Sequence, residues 1–130
     1  MILLAIFTLV RGCAVLSGTW LNELGSVAVL KAAANGDLVG TYNTGVGKAS
    51  GEYELRGRYD KTCGNPTLSF AVTWTNANDT AGSSTAWAGT FFEDSDTIYT
   101  TWLLVSAVNS SADLWAATRV GTNVFARGKN

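Results

Sequence analysis

The side chains that could carry chemistry in this chain are uncharged hydrogen-bonding groups set among tryptophans. Of its 130 residues, five are Trp and none is His. Without histidine the chain lacks the commonest general base, the Ser/His/Asp and Cys/His arrangements and the ligand of most catalytic zinc sites. Neutral donors and acceptors near aromatic residues are instead typical of a small-ligand binding site. The polar candidates are Asn22, Ser26, Tyr42 and Thr44.

Glu52 and Glu54 are the nearest pair of carboxylates that could support acid–base catalysis. Arg56 and Arg58 follow them at the same two-residue spacing, so all four share one face of a strand. A solvated, charge-balanced strand face explains this pattern better than a catalytic pair does. No candidate base or nucleophile has a partner, and we predict a binding protein, not an enzyme.

Length and charge narrow the function further. A chain of 130 residues with 47% hydrophobic content fits one domain with a sizeable core. Its formal net charge of −1 provides no basic field to hold nucleic acid phosphates or an acidic membrane surface. We predict no nucleic acid or membrane partner, no metal and no cofactor.

Turn signals divide the chain into short strands. Clusters of Gly, Asn, Asp and Ser recur at seven places, and the aromatic content favours strands over long helices. The predicted strands are 16–24, 27–33, 38–44, 52–59, 67–75, 85–92, 97–106 and 117–126. Short connections suit an antiparallel meander, so we predict an all-β, single-domain, eight-stranded up-and-down barrel. Such a barrel has room inside for one small ligand.

Alternation along the strands predicts which side chains line the interior. The fifth strand directs Leu68, Phe70, Val72 and Trp74 to one side, and the seventh directs Trp102, Leu104 and Ser106 to one side. For any single tryptophan, filling a core is the simpler explanation. Buried polar groups also need partners, however, and we expect a bound ligand to provide them for the four polar candidates.

The outward faces of the last two strands are apolar as well. They carry Thr101, Leu103 and Val105 on the seventh strand and Val120, Thr122 and Val124 on the eighth. A small closed barrel buries only its inner face, so these outward residues predict a subunit interface.

The N-terminus and the cysteines bear on localisation. Residues 1–10 form an apolar run of the length of a signal-peptide core, too short to span a bilayer, and the alternative is a buried core strand. We predict that residues 1–12 are a signal-peptide remnant or an N-terminal extension, that 13–130 form the domain, and that the protein is secreted. Two glycosylation patterns agree with secretion. They are Asn78-Asp79-Thr80 and Asn109-Ser110-Ser111.

Four blocks of sequence, in order and at matching spacing, resemble the avidin and streptavidin family. The blocks are 16–26, 40–42, 101–104 and 115–125, and the likeness extends from Cys13 nearly to the C-terminus. The resemblance implies the eight-stranded barrel, a homotetramer, and tight non-covalent binding and sequestration of biotin. This family is itself a standard example of such a barrel and of such affinity.

The resemblance also implies roles for individual residues. Asn22, Ser26 and Tyr42 would donate hydrogen bonds to the ureido oxygen of biotin, much as an oxyanion hole does. Thr44 and Asn123 would accept from the two ureido N–H groups; the family often has aspartate at the latter place, and asparagine gives up a charge-assisted bond. The other implied contacts are Thr85 at the ring sulfur, Trp74, Trp87 and Trp102 along the ring and acyl chain, and Leu24, Val46 and Leu104 between them.

The loop from Thr44 to Gly51 resembles the family segment that folds over the ligand. It contains Gly47, Lys48 and Ala49. The valerate carboxylate would be held by the backbone N–H at Lys48 and by Ser83. Lys48 replaces an uncharged residue of the family, and is either an exposed ion pair worth about 0 to 1 kcal/mol or a solvated lysine. Trp115 matches the tryptophan that closes the pocket of a neighbouring subunit.

Other readings stay open beside this one. Cys13 and Cys63 are either one disulfide or two thiols; in avidin-like members Cys13 would begin a bridge, but Phe91 stands at the partner position. Arg58-Tyr59-Asp60 resembles an adhesion-like tripeptide, although a strand entering a turn is the simpler interpretation. The alternatives to biotin binding are the same barrel with another small ligand, or a structural or adhesive secreted protein.

Overall fold

The chain winds as consecutive antiparallel strands into a closed barrel. A computed structural model describes residues 15–45, 51–75 and 82–128. Each strand pairs with the next, and β1 pairs with β8 to close the barrel. The strands are β1 (Gly18–Asn22), β2 (Val27–Ala32), β3 (Asp37–Asn43), β4 (Tyr53–Tyr59), β5 (Thr67–Thr75), β6 (Gly82–Phe92), β7 (Thr97–Ser106) and β8 (Thr118–Arg127). The prediction of an eight-stranded up-and-down barrel is confirmed.

Several strand boundaries differ from the prediction by one to three residues, and those at β1, β6 and β8 differ for a local reason. β1 ends at Asn22 because the chain turns through Gly25, whose φ of +80° suits glycine. β6 begins at Gly82 because its pairing with β5 continues as far as Thr75. Two short 3₁₀ turns, Ser111–Asp113 and Trp115–Ala117, precede β8. None of the helices in the described ranges is long and apolar enough to cross a membrane.

The two halves of the interior differ in character. Near the β2–β3, β4–β5 and β6–β7 connections the barrel is filled with apolar side chains, and Trp20 packs edge-on against Phe91 with ring centroids 6.0 Å apart. Near the opposite end, buried polar residues such as Asn22, Ser26 and Asn123 take their place. The predicted alternation is confirmed, and the charged face of β4 is exposed. One end of the barrel, called the plugged end, therefore has an apolar core, and the other, called the polar chamber, has a cluster of buried polar side chains.

Arg127 fastens the plugged end. Its guanidinium donates two hydrogen bonds to the Asp96 carboxylate, at 2.9 and 3.0 Å, and one to the Ser17 carbonyl at 2.9 Å. It also donates to the Val15 carbonyl and lies 4.2 Å from the centre of the Trp20 ring. The planar guanidinium thus joins the end of β8 to the segment before β1 and to the β6–β7 turn.

We expect Arg127→Met to lower the free energy of unfolding by about 2 kcal/mol, because four charge-assisted contacts and a cation–π contact are lost while the stem is kept. This value already allows for solvent screening, because the Arg127–Asp96 pair is partly exposed. Thermal unfolding measures the effect. Arg56→Met is the matched control: the exposed Arg56–Glu54 pair on the outer face should contribute under about 0.5 kcal/mol. Equal effects of the two substitutions would contradict the fastening role.

The Arg58-Tyr59-Asp60 tripeptide is engaged within the chain. Arg58 is ion-paired with Asp37 and donates to the Asn35 carbonyl at 3.0 Å. Tyr59 is buried and its hydroxyl donates to the Ala33 carbonyl. The tripeptide ends a strand and enters a turn, as the simpler interpretation held.

Asp60 organises that turn through hydrogen bonds to its carboxylate. It accepts from the Thr62 N–H at 2.8 Å, the Thr67 N–H at 2.7 Å and the Thr67 hydroxyl at 2.6 Å. The Thr67 and Thr62 bonds lower the pKa of Asp60 well below its ordinary value. The ionised carboxylate therefore belongs to the native turn.

The depressed pKa predicts how Asp60→Asn changes acid stability. A carboxyl whose native pKa is lowered stabilises the fold above its unfolded pKa of about 4, and this contribution disappears as pH falls toward the native pKa. The variant should be less stable than the parent at pH 7, and the gap should narrow steadily as pH falls from about 4 to about 2. Urea unfolding across that range tests this, with exposed Asp94→Asn as a control that removes the same charge. A gap that is constant with pH would contradict the prediction.

The cysteine positions are only partly described. Cys63 lies in the β4–β5 connection and is not a free thiol. Cys13 lies outside the described residues. Phe91, which the resemblance places at the partner position of an avidin-like bridge, is a buried core residue.

Candidate ligand-binding site

The polar chamber lies at the end of the barrel where β1 joins β2 and β7 joins β8. The turn between β1 and β2 supplies the first polar groups, and β3, β5, β6 and β8 supply the rest from inward positions. Of the predicted contacts, the structure brings together Asn22, Ser26, Tyr42, Trp74, Thr85, Trp87, Trp102 and Asn123.

The amide of Asn22 has a fixed orientation. Its Oδ1 accepts from the backbone N–H groups of Leu24 at 3.0 Å and Ser26 at 2.9 Å, both in the β1–β2 turn. Its Nδ2 donates to the Tyr42 hydroxyl at 3.2 Å, inside the chamber. Because the oxygen is held by the turn, Asn22 presents a donor to the chamber.

Ser26 and Tyr42 are the hydroxyl groups beside that donor. The Ser26 hydroxyl oxygen accepts from the Gly45 N–H at 3.0 Å, which leaves its proton available as a donor. Burial raises the pKa of Tyr42, although hydrogen bonds from Ser26 and Asn22 oppose the shift, so its hydroxyl keeps its proton at neutral pH. Three neutral donors therefore converge at one side of the chamber.

The amide of Asn123 has the opposite orientation. Its Nδ2 donates to the Glu23 carboxylate at 2.8 Å, and its Oδ1 accepts from the Trp87 indole N–H at 3.0 Å. Thr100 donates to the backbone carbonyl of Asn123 at 2.9 Å and holds this part of β8 in place. An amide oxygen has two lone pairs, so Asn123 presents an acceptor beside Trp87.

Aromatic rings form the wall of the chamber. Tyr42 stacks on Trp87 with centroids 4.9 Å apart, and Trp87 stacks on Phe70 at 5.0 Å. Trp74 lies edge-on to Tyr42 at 5.5 Å and to Tyr53 at 4.9 Å. These ring-to-ring contacts hold one another in position and leave little rotational freedom to the wall.

Two tryptophans of the wall, Trp74 and Trp102, depend on specific small neighbouring residues. The Trp74 indole N–H donates to the Thr85 hydroxyl at 2.8 Å. A Cβ on Gly121 would lie 2.3 Å from Cζ2 of Trp102, so the Trp102 ring occupies space that only glycine leaves free. Leu104 follows Trp102 on the same face of β7 and is half-buried.

Other predicted contacts lie at the rim or beyond the described ranges. Leu24 sits in the β1–β2 turn and is 50% exposed. Thr44 and Ser83 are half-buried at the end of β3 and the start of β6. Trp115 is 79% exposed and has no buried neighbour in its 3₁₀ turn. The predicted lid residues Val46, Gly47, Lys48 and Ala49 lie outside the described residues.

The expectation that the polar candidates lack partners until a ligand binds is wrong. Among the residues that the structure describes, no buried side-chain nitrogen or oxygen is without a hydrogen-bond partner. Asn22, Ser26 and Tyr42 are close enough to satisfy one another. A ligand must therefore replace internal bonds, and groups already held in place lose little freedom when they bind it.

Sequence reasoning missed Glu23, Tyr53 and Phe70 as parts of the site. Phe70 lies on a face predicted to point inward, but its packing against Trp87, like that of Tyr53 against Trp74, follows only from the strand pairing. Glu23 reads as a solvent-facing turn residue, and its bond to Asn123 joins positions 100 residues apart. In the described part of the chain, no three acidic, cysteine or histidine side chains lie together in a way that could hold a metal ion.

Comparison with known proteins agrees with this geometry. The model of the avidin family matches residues 10–128. The chain is 37% identical to avidin-related protein 4/5 of Gallus gallus over 124 residues, which cover 90% of this chain and 79% of the relative. It is also 37% identical to avidin of Gallus gallus over 126 residues, which cover 90% of this chain and 80% of the relative. The chain therefore belongs to the avidin family.

Proposed function

We propose that this protein binds biotin tightly and non-covalently in the polar chamber, and that it sequesters the free vitamin. The observation that carries the proposal is the opposed orientation of two amides. Asn22 presents Nδ2 to the chamber, whereas Asn123 presents Oδ1. A cyclic urea has the matching pattern, a carbonyl acceptor flanked by N–H donors.

Family membership supports the same activity. Avidin-family proteins are non-enzymatic and bind biotin. The prediction that the chain is not an enzyme is confirmed on that basis. The bound molecule would be a ligand, with no cofactor required.

The donor side would receive the ureido oxygen. Asn22 Nδ2 and the hydroxyls of Ser26 and Tyr42 converge there, and neutral donors fixed before binding favour charge on a carbonyl oxygen. On the other side, Asn123 Oδ1 and Thr44 would accept from the ureido N–H groups.

The aromatic wall would enclose the fused rings and the acyl chain. Trp74, Trp87 and Trp102 provide flat apolar surface, and Leu104 extends it along β7. The Thr85 hydroxyl already accepts from Trp74, so its proton is free to point toward the ring sulfur. Leu24, Ser83 and the lid residues Val46, Gly47, Lys48 and Ala49 would complete the rim around the carboxylate.

We also propose that the protein is a homotetramer. The outward face of β5 to β8 carries no charged side chain within the described strands, and Leu103, Val120 and Tyr99 are exposed on it. An uncharged face spanning four strands is the kind of surface that subunits cover. Trp115, at the edge of this face, would then close the chamber of a neighbouring subunit.

Secretion and a Cys13–Cys63 disulfide belong to the same proposal. A disulfide fits an oxidising compartment, and Cys63 is not a free thiol. Asn109 is exposed, in agreement with glycosylation, while the pattern at 78–80 lies outside the described residues. We expect the purified, unfolded protein to react with a thiol reagent only after reduction. Reaction without reductant would contradict the disulfide.

Biotin titration followed by tryptophan fluorescence tests the proposed function. Biotin should change the emission at one equivalent per subunit, because Trp74, Trp87 and Trp102 line the site. Tyr42→Phe should weaken binding about 10-fold to 100-fold by removing one donor. Tyr59→Phe removes a hydroxyl from the plugged end and should bind normally. An unchanged emission at saturating biotin would exclude biotin and favour another ligand or a structural role.

A further inference from the structure

Glu23 makes two contacts to β8 although its own turn precedes β2. Its Oε1 accepts from Asn123 Nδ2 at 2.8 Å, and its Oε2 accepts from the Val124 N–H at 3.0 Å. Each carboxylate oxygen thus faces one donor of β8. The carboxylate joins the β1–β2 turn to the strand that carries the acceptor of the chamber.

Both contacts require an acceptor, and only a carboxylate has acceptors on both branches. Partial desolvation opposes ionisation, but the hydrogen bonds from Asn123 and Val124 lower the pKa of Glu23 below its ordinary value. The side chain is therefore an anion at neutral pH. An amide in its place would have one acceptor for two donors.

Asn123 by itself has no preferred polarity. Rotation of its amide by 180° exchanges Oδ1 and Nδ2 with little change in shape. The Trp87 indole N–H and the Glu23 carboxylate select one of the two orientations, since one neighbour is a donor and the other an acceptor. The oxygen consequently points into the chamber.

We propose that Glu23 is a positioning residue that sets the polarity of Asn123 and thereby makes the site select a ligand with an N–H at that point. The identity of that ligand as biotin rests on the proposed function; the effect of Glu23 on the amide does not. The same β1–β2 turn then fixes both amides of the site: its backbone N–H groups hold Asn22 as a donor, and its carboxylate holds Asn123 as an acceptor.

Glu23→Gln should release the Asn123 amide. When the oxygen of the new side chain accepts from Val124, its NH₂ group faces Asn123 Nδ2, and a flipped Asn123 relieves this contact between two donors. The flipped amide turns Nδ2 toward Trp87 and toward the ligand N–H. We expect biotin affinity to fall about 10-fold to 100-fold, as for a buried donor left without its partner.

Exchange of the acid and the amide should restore the site. In Glu23→Gln/Asn123→Asp, the carboxylate introduced at position 123 accepts from the amide introduced at position 23, from Trp87 and from the ligand. Net charge and side-chain size are the same as in the parent. Affinity should return to within about threefold of the parent, although the two positions differ in burial.

The indole N–H resonance of Trp87 reports the orientation of the Asn123 amide in the absence of any ligand. In ¹⁵N-labelled ligand-free protein, Glu23→Gln should move this resonance upfield as its acceptor is lost, and the double variant should return it downfield. Glu54→Gln on the outer face is the matched control and should leave the resonance in place. If Glu23→Gln leaves the resonance unchanged, or if the double variant fails to restore it, the positioning role is wrong.

Biotin titration of the same variants provides the second readout. Loss in Glu23→Gln with recovery in the double variant supports the positioning role, and equal affinity in all variants overturns it. If the parent itself does not bind biotin, the proposed function fails, and the Trp87 resonance still decides the role of Glu23.

Discussion

Asn22→Asp should abolish tight biotin binding while leaving the barrel intact. The aspartate keeps an oxygen for the Leu24 and Ser26 N–H groups, so the β1–β2 turn is preserved. The chamber, however, loses the Nδ2 donor and gains a second oxygen, which faces the ureido oxygen. Loss of one oxyanion donor costs about 3 to 4 kcal/mol, and with repulsion added we expect affinity to fall by about 1,000-fold or more.

Calorimetric titration measures this loss, and circular dichroism confirms the fold. The informative control introduces a carboxylate at the other amide, as Glu23→Gln/Asn123→Asp. Position 123 requires an acceptor, so biotin binding should survive in this double variant. Similar losses at both positions would show that any new carboxylate is harmful, and would contradict the assignment of Asn22 as donor and Asn123 as acceptor.

Trp115→Lys is the second substitution with a large expected effect. Trp115 is 79% exposed in the single chain, although a large aromatic side chain at a subunit contact is often a binding hot spot. If it covers a neighbouring chamber, the lysine removes that cover and places a charge in an apolar contact. We expect biotin release to accelerate about 30-fold to 1,000-fold and the oligomer to dissociate into smaller species.

Light scattering gives the oligomeric state of the variant, and displacement of labelled biotin gives the release rate. Trp115→Phe keeps an apolar ring and should retain most of both properties. An intact oligomer with undiminished retention of biotin would contradict the proposal that Trp115 closes the chamber of a neighbouring subunit.

The barrel fold could be predicted from local signals that are present along the sequence. Alternation in β5, with Leu68, Phe70 and Val72 inward, specifies one buried face, and the recurrent turn residues specify an antiparallel order. The exact ends of the strands were harder to predict. The end of β1 depends on hydrogen bonds from the turn to Asn22, and the start of β6 depends on how far β5 continues as its partner.

The sequence predicts which residues face the site, but it does not predict the hydrogen bonds that join them. Sequence patterns place Asn22, Tyr42 and Asn123 inward, and the resemblance gives them roles. Their polarity depends on contacts between distant segments, above all that of Glu23 with Asn123, which exists only because β1 pairs with β8. A turn carboxylate has no alternation signal that would mark it as part of the chamber.

Thermal unfolding with and without biotin, in non-reducing buffer, tests the central claim most directly. A ligand that binds only the native state stabilises it by RT ln(1 + [L]/Kd), which is about 8 kcal/mol at 1 mM biotin for a nanomolar Kd. We predict that the unfolding temperature rises by tens of degrees. An unfolding temperature unchanged by biotin would contradict the account and would mean that this barrel serves another ligand or role.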